Sequence, residues 1–227
     1  VANLAAVTAR IASAAAAAAR EPAELTLIGV TKFFPASDAL LLADLGVTDL
    51  GESRDQEAAA KAAEVARRTV QPPRWHFLGR LQTNKARSVA GYAYMVHSVD
   101  RSGLVAALAA GRATEGDPLR VLIQVSLDGD TDRGGALPAQ VAQLVDEIGA
   151  KPSLQLAGVM AVAPITADPD SAFAELADIA SRVRAEHPSA VVVSAGMSAD
   201  LEAAIGHGAT HLRIGTALLG RRSGSFR

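Results

Sequence analysis

The stretch Leu25-Thr26-Leu27-Ile28-Gly29-Val30-Thr31-Lys32-Phe33-Phe34-Pro35-Ala36-Ser37 decides the fold. Leu25 to Val30 reads as a buried strand, and Pro35 followed by Ser37 marks a helix start with the serine hydroxyl as its cap. Thr48 to Gly51 is then a short second strand, so the region is one strand–helix–strand unit. The pattern repeats outward. Helix Arg54–Arg68 leads to strand Trp75–Gly79, and helix Asn84–Val89 to strand Tyr94–Val99. Helix Ser102–Ala113 precedes strand Arg120–Ser126, and helix Pro138–Ile148 precedes strand Leu154–Ala161. Helix Ser171–Glu186, strand Val191–Ser194, helix Ser198–Ile205 and strand His211–Ile214 complete the series, with only a stub after it.

About eight such units of about 28 residues each match a single α/β domain over residues 1–227, folded as a (β/α)8 barrel. An open doubly wound sheet is the alternative, but it rarely needs so many consecutive units. Ahead of the first strand, Leu4, Val7 and Ile11 recur at helical spacing and run into the alanines Ala14 to Ala19. This reads as an extra amino-terminal surface helix that covers what the short last helix leaves open. It does not read as a signal peptide, since Arg10 interrupts the apolar stretch and the basic head is missing.

Composition removes several function classes. The 227 residues carry a net charge of −2, which argues against broad binding to nucleic acid. With 49% hydrophobic residues the chain has material for a core, while 4% aromatics disfavour a stacking platform for single strands. Cysteine is absent, which rules out disulfides and thiolate chemistry and fits a cytoplasmic setting. No apolar segment approaches the roughly 20 residues of a membrane span.

In a barrel the chemistry sits at the carboxyl ends of the strands. After the first strand an ε-amine, Lys32, emerges between apolar neighbours, where desolvation would favour a neutral, nucleophilic amine. A lysine snorkelling from a strand end is the plainer reading of the same residue. Near the other end of the chain, Ala195-Gly196-Met197-Ser198 and Arg213-Ile214-Gly215-Thr216 place small residues and hydroxyls at helix starts. Exposed N–H groups there favour an anion, and the loops after strands seven and eight are the recurrent phosphate position. Closure sets strand eight beside strand one. A lysine, a phosphate cradle and an arginine at one mouth point to pyridoxal phosphate held as a Schiff base.

These residues carry a family resemblance. Val30-Thr31-Lys32, Gly51-Glu52-Ser53-Arg54-Asp55-Gln56-Glu57-Ala58 and His76-Phe77-Leu78-Gly79-Arg80-Leu81-Gln82-Thr83-Asn84-Lys85 resemble those of the pyridoxal phosphate homeostasis proteins. So do His97-Ser98-Val99-Asp100, Gly158-Val159-Met160-Ala161, Gly196-Met197-Ser198-Ala199-Asp200-Leu201 and Arg213-Ile214-Gly215-Thr216. The resemblance spans nearly the whole chain in family order. It implies a barrel like the amino-terminal domain of alanine racemases, with pyridoxal phosphate covalently bound at Lys32. By the same resemblance Arg213 faces the pyridine nitrogen, and Gly196, Ser198, Gly215 and Thr216 form the phosphate loops. Met160 and Ser194 lie close to the ring, and Ser53 takes the place of the family's usual asparagine. Ala195 stands where a methionine often precedes Gly-Met-Ser. A regulatory or secondary cofactor role for Lys85 is a further implication, beside its plain reading as a surface charge.

Other signals are set aside. Asp128-Gly129-Asp130-Thr131-Asp132-Arg133-Gly134 resembles the start of a calcium loop, but Arg133 and Ala139 stand where glycine and glutamate are required. His76 and His97 lack metal spacing and read as satisfied histidines toward opposite ends of their strands. The Arg221-Arg222 pair is too short for nucleic acid.

Three functions remain in contention, the first two being storage or delivery of pyridoxal phosphate in vitamin B6 homeostasis and a racemase or lyase with weak activity using the same cofactor. A barrel without cofactor that acts on a phosphorylated substrate is the third. Two-sided proton transfer needs a second acid/base opposite Lys32. Tyr92 and Tyr94 lie before or at the start of strand four, on the wrong face, and the length taken up by the barrel leads us to expect no second domain to supply such a group. The expectation is therefore a carrier and not an enzyme, leaning toward a monomer, with pyridoxal phosphate-dependent apo-enzymes as possible recipients.

Overall fold

A computed structural model of the chain describes residues 1–113 and 116–220; the Arg221-Arg222 pair lies outside them. Eight parallel strands close into a barrel in sequence order. They are β1 Thr26–Val30, β2 Asp49–Glu52, β3 Arg74–Phe77, β4 Met95–Val99, β5 Leu119–Gln124, β6 Leu154–Met160, β7 Val192–Ser194 and β8 His211–Ile214. Closure is made by β1 on β8, with Ile28 opposite Arg213 and Gly29 opposite Ile214. The expected adjacency of the first and last strands is therefore present.

Alternation along the strands decides what each wall residue meets. A side chain at Gly29 would run into Leu42, Val47 and Leu50 on the helix side, so Ile28 and Val30 face the barrel interior. In β5, Leu119, Val121 and Ile123 join the large core between sheet and helices, whereas Leu122 clusters with Met95, Ala157, Met160 and Val192 on the other side of the wall.

The surrounding helices are α1 Ala2–Ala17, α2 Ala36–Asp44, α3 Asp55–Arg68, α4 Ala86–Tyr92, α5 Ser102–Gly111, α6 Val141–Gly149, α7 Pro169–Glu186, α8 Leu201–Gly206 and α9 Thr216–Leu219. The amino-terminal helix does what its pattern predicts. Val7, Ile11, Ala14 and Ala15 are buried, the two larger ones worth about 2 kcal/mol each on removal from water. Asn3 donates to the Leu218 carbonyl at 3.0 Å, and Arg20 to the carbonyls of Ile205 at 3.1 Å and Ala209 at 2.7 Å. These contacts fasten α1 over the short α8 and α9.

Most element bounds shift from expectation by a few residues, and three of these shifts have an identifiable reason. Pro35, not Ser37, occupies the cap position of α2, because proline's fixed φ already suits a helix entry. A 3-10 turn over Thr83–Lys85 precedes α4, which extends to Tyr92. The helix after β7 begins at Leu201 and not at Ser198. Ser198 lies in a turn, where its hydroxyl accepts from the Ala217 N–H at 3.3 Å across the barrel mouth and so is not spent on its own helix.

Candidate functional site

The mouth is built from the ends of β1, β6, β7 and β8. Lys32 stands two residues beyond β1, in a turn closed by the Phe34 N–H donating to the Thr31 carbonyl at 3.0 Å. Phe33 takes φ +68, a left-handed conformation that costs a non-glycine residue about 1 kcal/mol or more. The Phe33 N–H donates to Glu57 at 3.4 Å, and the Arg54 guanidinium lies 4.8 Å from the centre of its ring. Lys32 itself is exposed, with its Nζ 6.0 Å from the Phe33 ring. The expected desolvation is therefore absent: β1 has ended, and the turn carries the side chain out of the apolar wall.

A buried pair that the sequence reading did not single out holds this turn. Lys61 on α3 donates to the Thr31 carbonyl at 2.9 Å and forms an ion pair with Glu52 at the end of β2. Thr31 donates its hydroxyl to the same Glu52 oxygen at 2.7 Å. Glu52 and Lys61 are 1% and 6% exposed, and the second Glu52 oxygen has no partner among the described residues. The signal was available: Ala58, Lys61, Ala62 and Val65 form one buried stripe on α3, and a lysine in an apolar stripe calls for a buried partner.

Arg213 is buried in β8, opposite Ile28. It donates from Nη1 to Ser194 Oγ at 2.7 Å and from Nη2 to the Ala161 carbonyl at 2.8 Å. Its own backbone N–H donates to the Gly196 carbonyl at 2.9 Å. Among the described residues no carboxylate pairs with it, and burial pushes its pKa down to about 10, with Asp200 opposing. It stays a cation at neutral pH. A guanidinium has five donors, and two go to these neutral oxygens, which leaves an N–H edge for something else. Met160 is the register partner of Ser194, so both border this edge.

The two loops of the expected phosphate cradle meet through the Ser198–Ala217 bond, next to exposed Thr216. Gly196 has φ +86, and a Cβ there would lie 2.8 Å from that of Ala204; only glycine lets the chain turn so close to α8. Gly215 packs on Val30, within 3.4 Å of where its Cβ would be, which ties this loop to the strand that leads into Lys32. Arg10 of α1 donates to the Ser198 carbonyl at 2.7 Å and pairs with Glu202, bracing the loop from outside. Ser53 stands one strand over. It lines a cleft of about 880 Å³ with Arg80, Gln82, Lys85 and Arg101.

The two histidines are not at opposite ends. His76 Nδ1 and His97 Nε2 lie 2.9 Å apart inside the barrel, both essentially unexposed. They are satisfied, as expected, and the described residues contain no cluster suited to a metal ion. The Asp128–Gly134 segment folds on itself instead, with Asp128 accepting from the Asp130 N–H at 3.1 Å and pairing with Arg133 at 3.0 Å.

A closed parallel barrel with a lysine past β1, a buried arginine on β8 and two small-residue loops between them defines the barrel class of the alanine racemases. The family model for the alanine racemase N-terminal domain matches residues 3–223. Alanine racemase from Corynebacterium glutamicum shares the fold at TM-score 0.67 and 14% identity, and the chain spans 58% of that protein. Closer relatives narrow the class. A pyridoxal phosphate homeostasis protein of Mycobacterium tuberculosis is 46% identical over 96% of this chain and 91% of its own length. That of Escherichia coli K12 is 35% identical over 97% and 95%. The structure of PipY from Synechococcus elongatus with PLP bound matches at TM-score 0.78 and 32% identity, over 92% of this chain and all of that one. The chain belongs to the pyridoxal phosphate homeostasis protein family. No helix among the described residues is long and apolar enough to cross a membrane.

Proposed function

We propose that this chain binds pyridoxal phosphate through a Schiff base at Lys32 and serves vitamin B6 homeostasis in the cytoplasm, storing or delivering the cofactor without catalytic turnover. The observation that carries the reading is Arg213, a buried cation without a carboxylate partner among the described residues, its free edge one strand from Lys32. When bound, the cofactor supplies an aldehyde that exchanges between amines and an electron-accepting ring. The protein's residues fit it. Exposed Lys32 is accessible to the aldehyde, and Ser198, Gly196, Gly215 and Thr216 offer small, polar loops to the phosphate. Met160 and Ser194 border the ring, and Ser53 reaches the ring region only as a short hydroxyl.

Arg213 also favours holding over reacting. A permanent cation beside the pyridine nitrogen disfavours its protonation, which makes the ring a poorer electron sink. Of the two tyrosines that could act as a second acid/base, Tyr94 sits between Arg74 and Arg120 at the amino-terminal end of the barrel, and Tyr92 is the last residue of α4, outside the strands. The chain acts as a monomer that hands cofactor to apo-enzymes dependent on it. The test is borohydride reduction of the purified yellow protein followed by peptide mass analysis. A pyridoxyl adduct on Lys32 is expected, and its absence overturns the covalent reading. Sustained change of chirality in single-enantiomer amino acids overturns the carrier reading.

A further inference from the structure

Behind Arg213 an unbroken chain of hydrogen bonds crosses the barrel interior. Ser194 Oγ, which accepts from Arg213, lies 2.9 Å from His97 Nδ1. His97 Nε2 lies 2.9 Å from His76 Nδ1, and His76 Nε2 lies 2.8 Å from Asp49 Oδ1. The other oxygen of Asp49 accepts from Arg74 at 2.6 Å and from the Thr48 hydroxyl at 2.8 Å. Asp49, Thr48 and Arg74 line a cleft of about 300 Å³ at the end of the barrel away from Lys32.

The two ends fix every proton between them. Burial raises the pKa of Asp49, but the bonds from His76 and Arg74 outweigh it, so the carboxylate is ionised and can only accept. His76 must therefore carry its proton on Nε2. Burial keeps it neutral against the pull of Asp49, leaving Nδ1 as an acceptor. His97 then donates from Nε2, and burial with His76, Arg213 and His211 nearby holds it neutral too. Its Nδ1 accepts from Ser194, whose hydroxyl has only a lone pair left to offer Arg213. The remaining neighbours of His76, Tyr94 and His211, approach as rings at 5.6 and 6.2 Å and do not interrupt the order.

We propose that Asp49, His76, His97 and Ser194 form a one-way relay of positioning residues that orients the Arg213 guanidinium and keeps its free N–H edge toward the cofactor ring. The proposal rests on the reading of Arg213 as the partner of the pyridine nitrogen. Its own signature belongs to the apo-protein and does not depend on that reading. Long-range proton–nitrogen NMR on histidine-labelled apo-protein is expected to find both His76 and His97 neutral with the proton on Nε2. A cationic ring or a proton on Nδ1 in either one overturns the relay.

Asp49→Asn then reverses it. Arg74 and Thr48 keep the amide oxygen, so the new NH₂ faces His76 and drives both histidines to the Nδ1–H form. His97 now donates to Ser194, whose own proton loses its acceptor. In the protein loaded with pyridoxal phosphate, release of cofactor should rise about two- to tenfold, the worth of one weakened hydrogen bond. Its visible band should move while Lys32 stays modified. Flipped tautomers with unchanged release and an unchanged band overturn the link to Arg213. If Asp49→Asn fails to fold, Ser194→Ala supplies the same readouts: faster release and a shifted band support the link, and unchanged values refute it. Absence of a Lys32 adduct in the unsubstituted protein counts against the proposed function and leaves the tautomer result standing.

Discussion

Replacing Lys61 with methionine tests how the lysine turn is held. Methionine keeps the length and apolar stem but removes the charge that faces Glu52 and the donor that meets the Thr31 carbonyl at 2.9 Å. The Glu52 carboxylate, 1% exposed, would keep the Thr31 hydroxyl as its only donor among the described residues. Breaking one side of a buried pair leaves an uncompensated charge and costs about 3–5 kcal/mol. For a chain of this size each kcal/mol moves Tm by about 2–4 °C, so a fall of roughly 6–20 °C is expected. Circular dichroism melts and urea titrations measure it. The double variant Lys61→Met with Glu52→Gln removes the stranded charge and should regain most of the loss. Hydrogen exchange reads the local consequence, because the Phe34 amide, bonded to the same carbonyl at 3.0 Å, should exchange faster in the single variant. A single-variant loss below about 1 kcal/mol, the value of an exposed pair, would refute this account of the turn.

Acid should weaken the fold well above the carboxylate range. Burial lowers the pKa of His76 and His97 and brings His211 to about 4, so the native rings stay neutral while the unfolded chain takes up protons. Stability therefore falls as pH drops below about 6.5, by about 1.4 kcal/mol per pH unit for each such histidine, and His211 stops contributing near 4; a flat urea midpoint between about pH 7 and 5 would contradict it. Gly196→Ala should cost at least about 1–2 kcal/mol from its left-handed φ alone, with added overlap against Ala204, and should speed cofactor release. Arg10→Ala should change stability by less than about 1 kcal/mol, because its pair with Glu202 is exposed. Cofactor release should nevertheless quicken as the Ser198 carbonyl loses its brace, and stopped-flow transfer to an apo-enzyme reads this.

Much of the architecture is legible residue by residue. The run Leu25–Val30 and the apolar spacing of Val7 and Ile11 announce their elements, because strand and helix periods are local properties of a chain. Lys32, Arg213 and the two small-residue loops stand out for a similar reason: residue type and position at strand ends are visible without coordinates. Ser198 shows the limit. Its hydroxyl suits a helix cap by every local rule, yet its partner is the Ala217 N–H in the first turn of α9.

What the sequence by itself determined is the closed barrel, the helix laid across its short end and the set of residues at its mouth. Only the tertiary structure decided how those residues are charged and held. His76, His97, Ser194 and Asp49 come from four different strands, and nothing in any one strand tells its neighbour's register. The pairing of β7 with β8 sets Arg213 beside Ser194, that of β3 with β4 lines up the two histidines, and only the curved barrel brings His97 across its interior to Ser194. In the same way, the partner of Lys61 is settled by how α3 lies on β2. Hydrophobic patterning acts along the chain, whereas a buried proton's place depends on which atoms from distant segments are left to receive it.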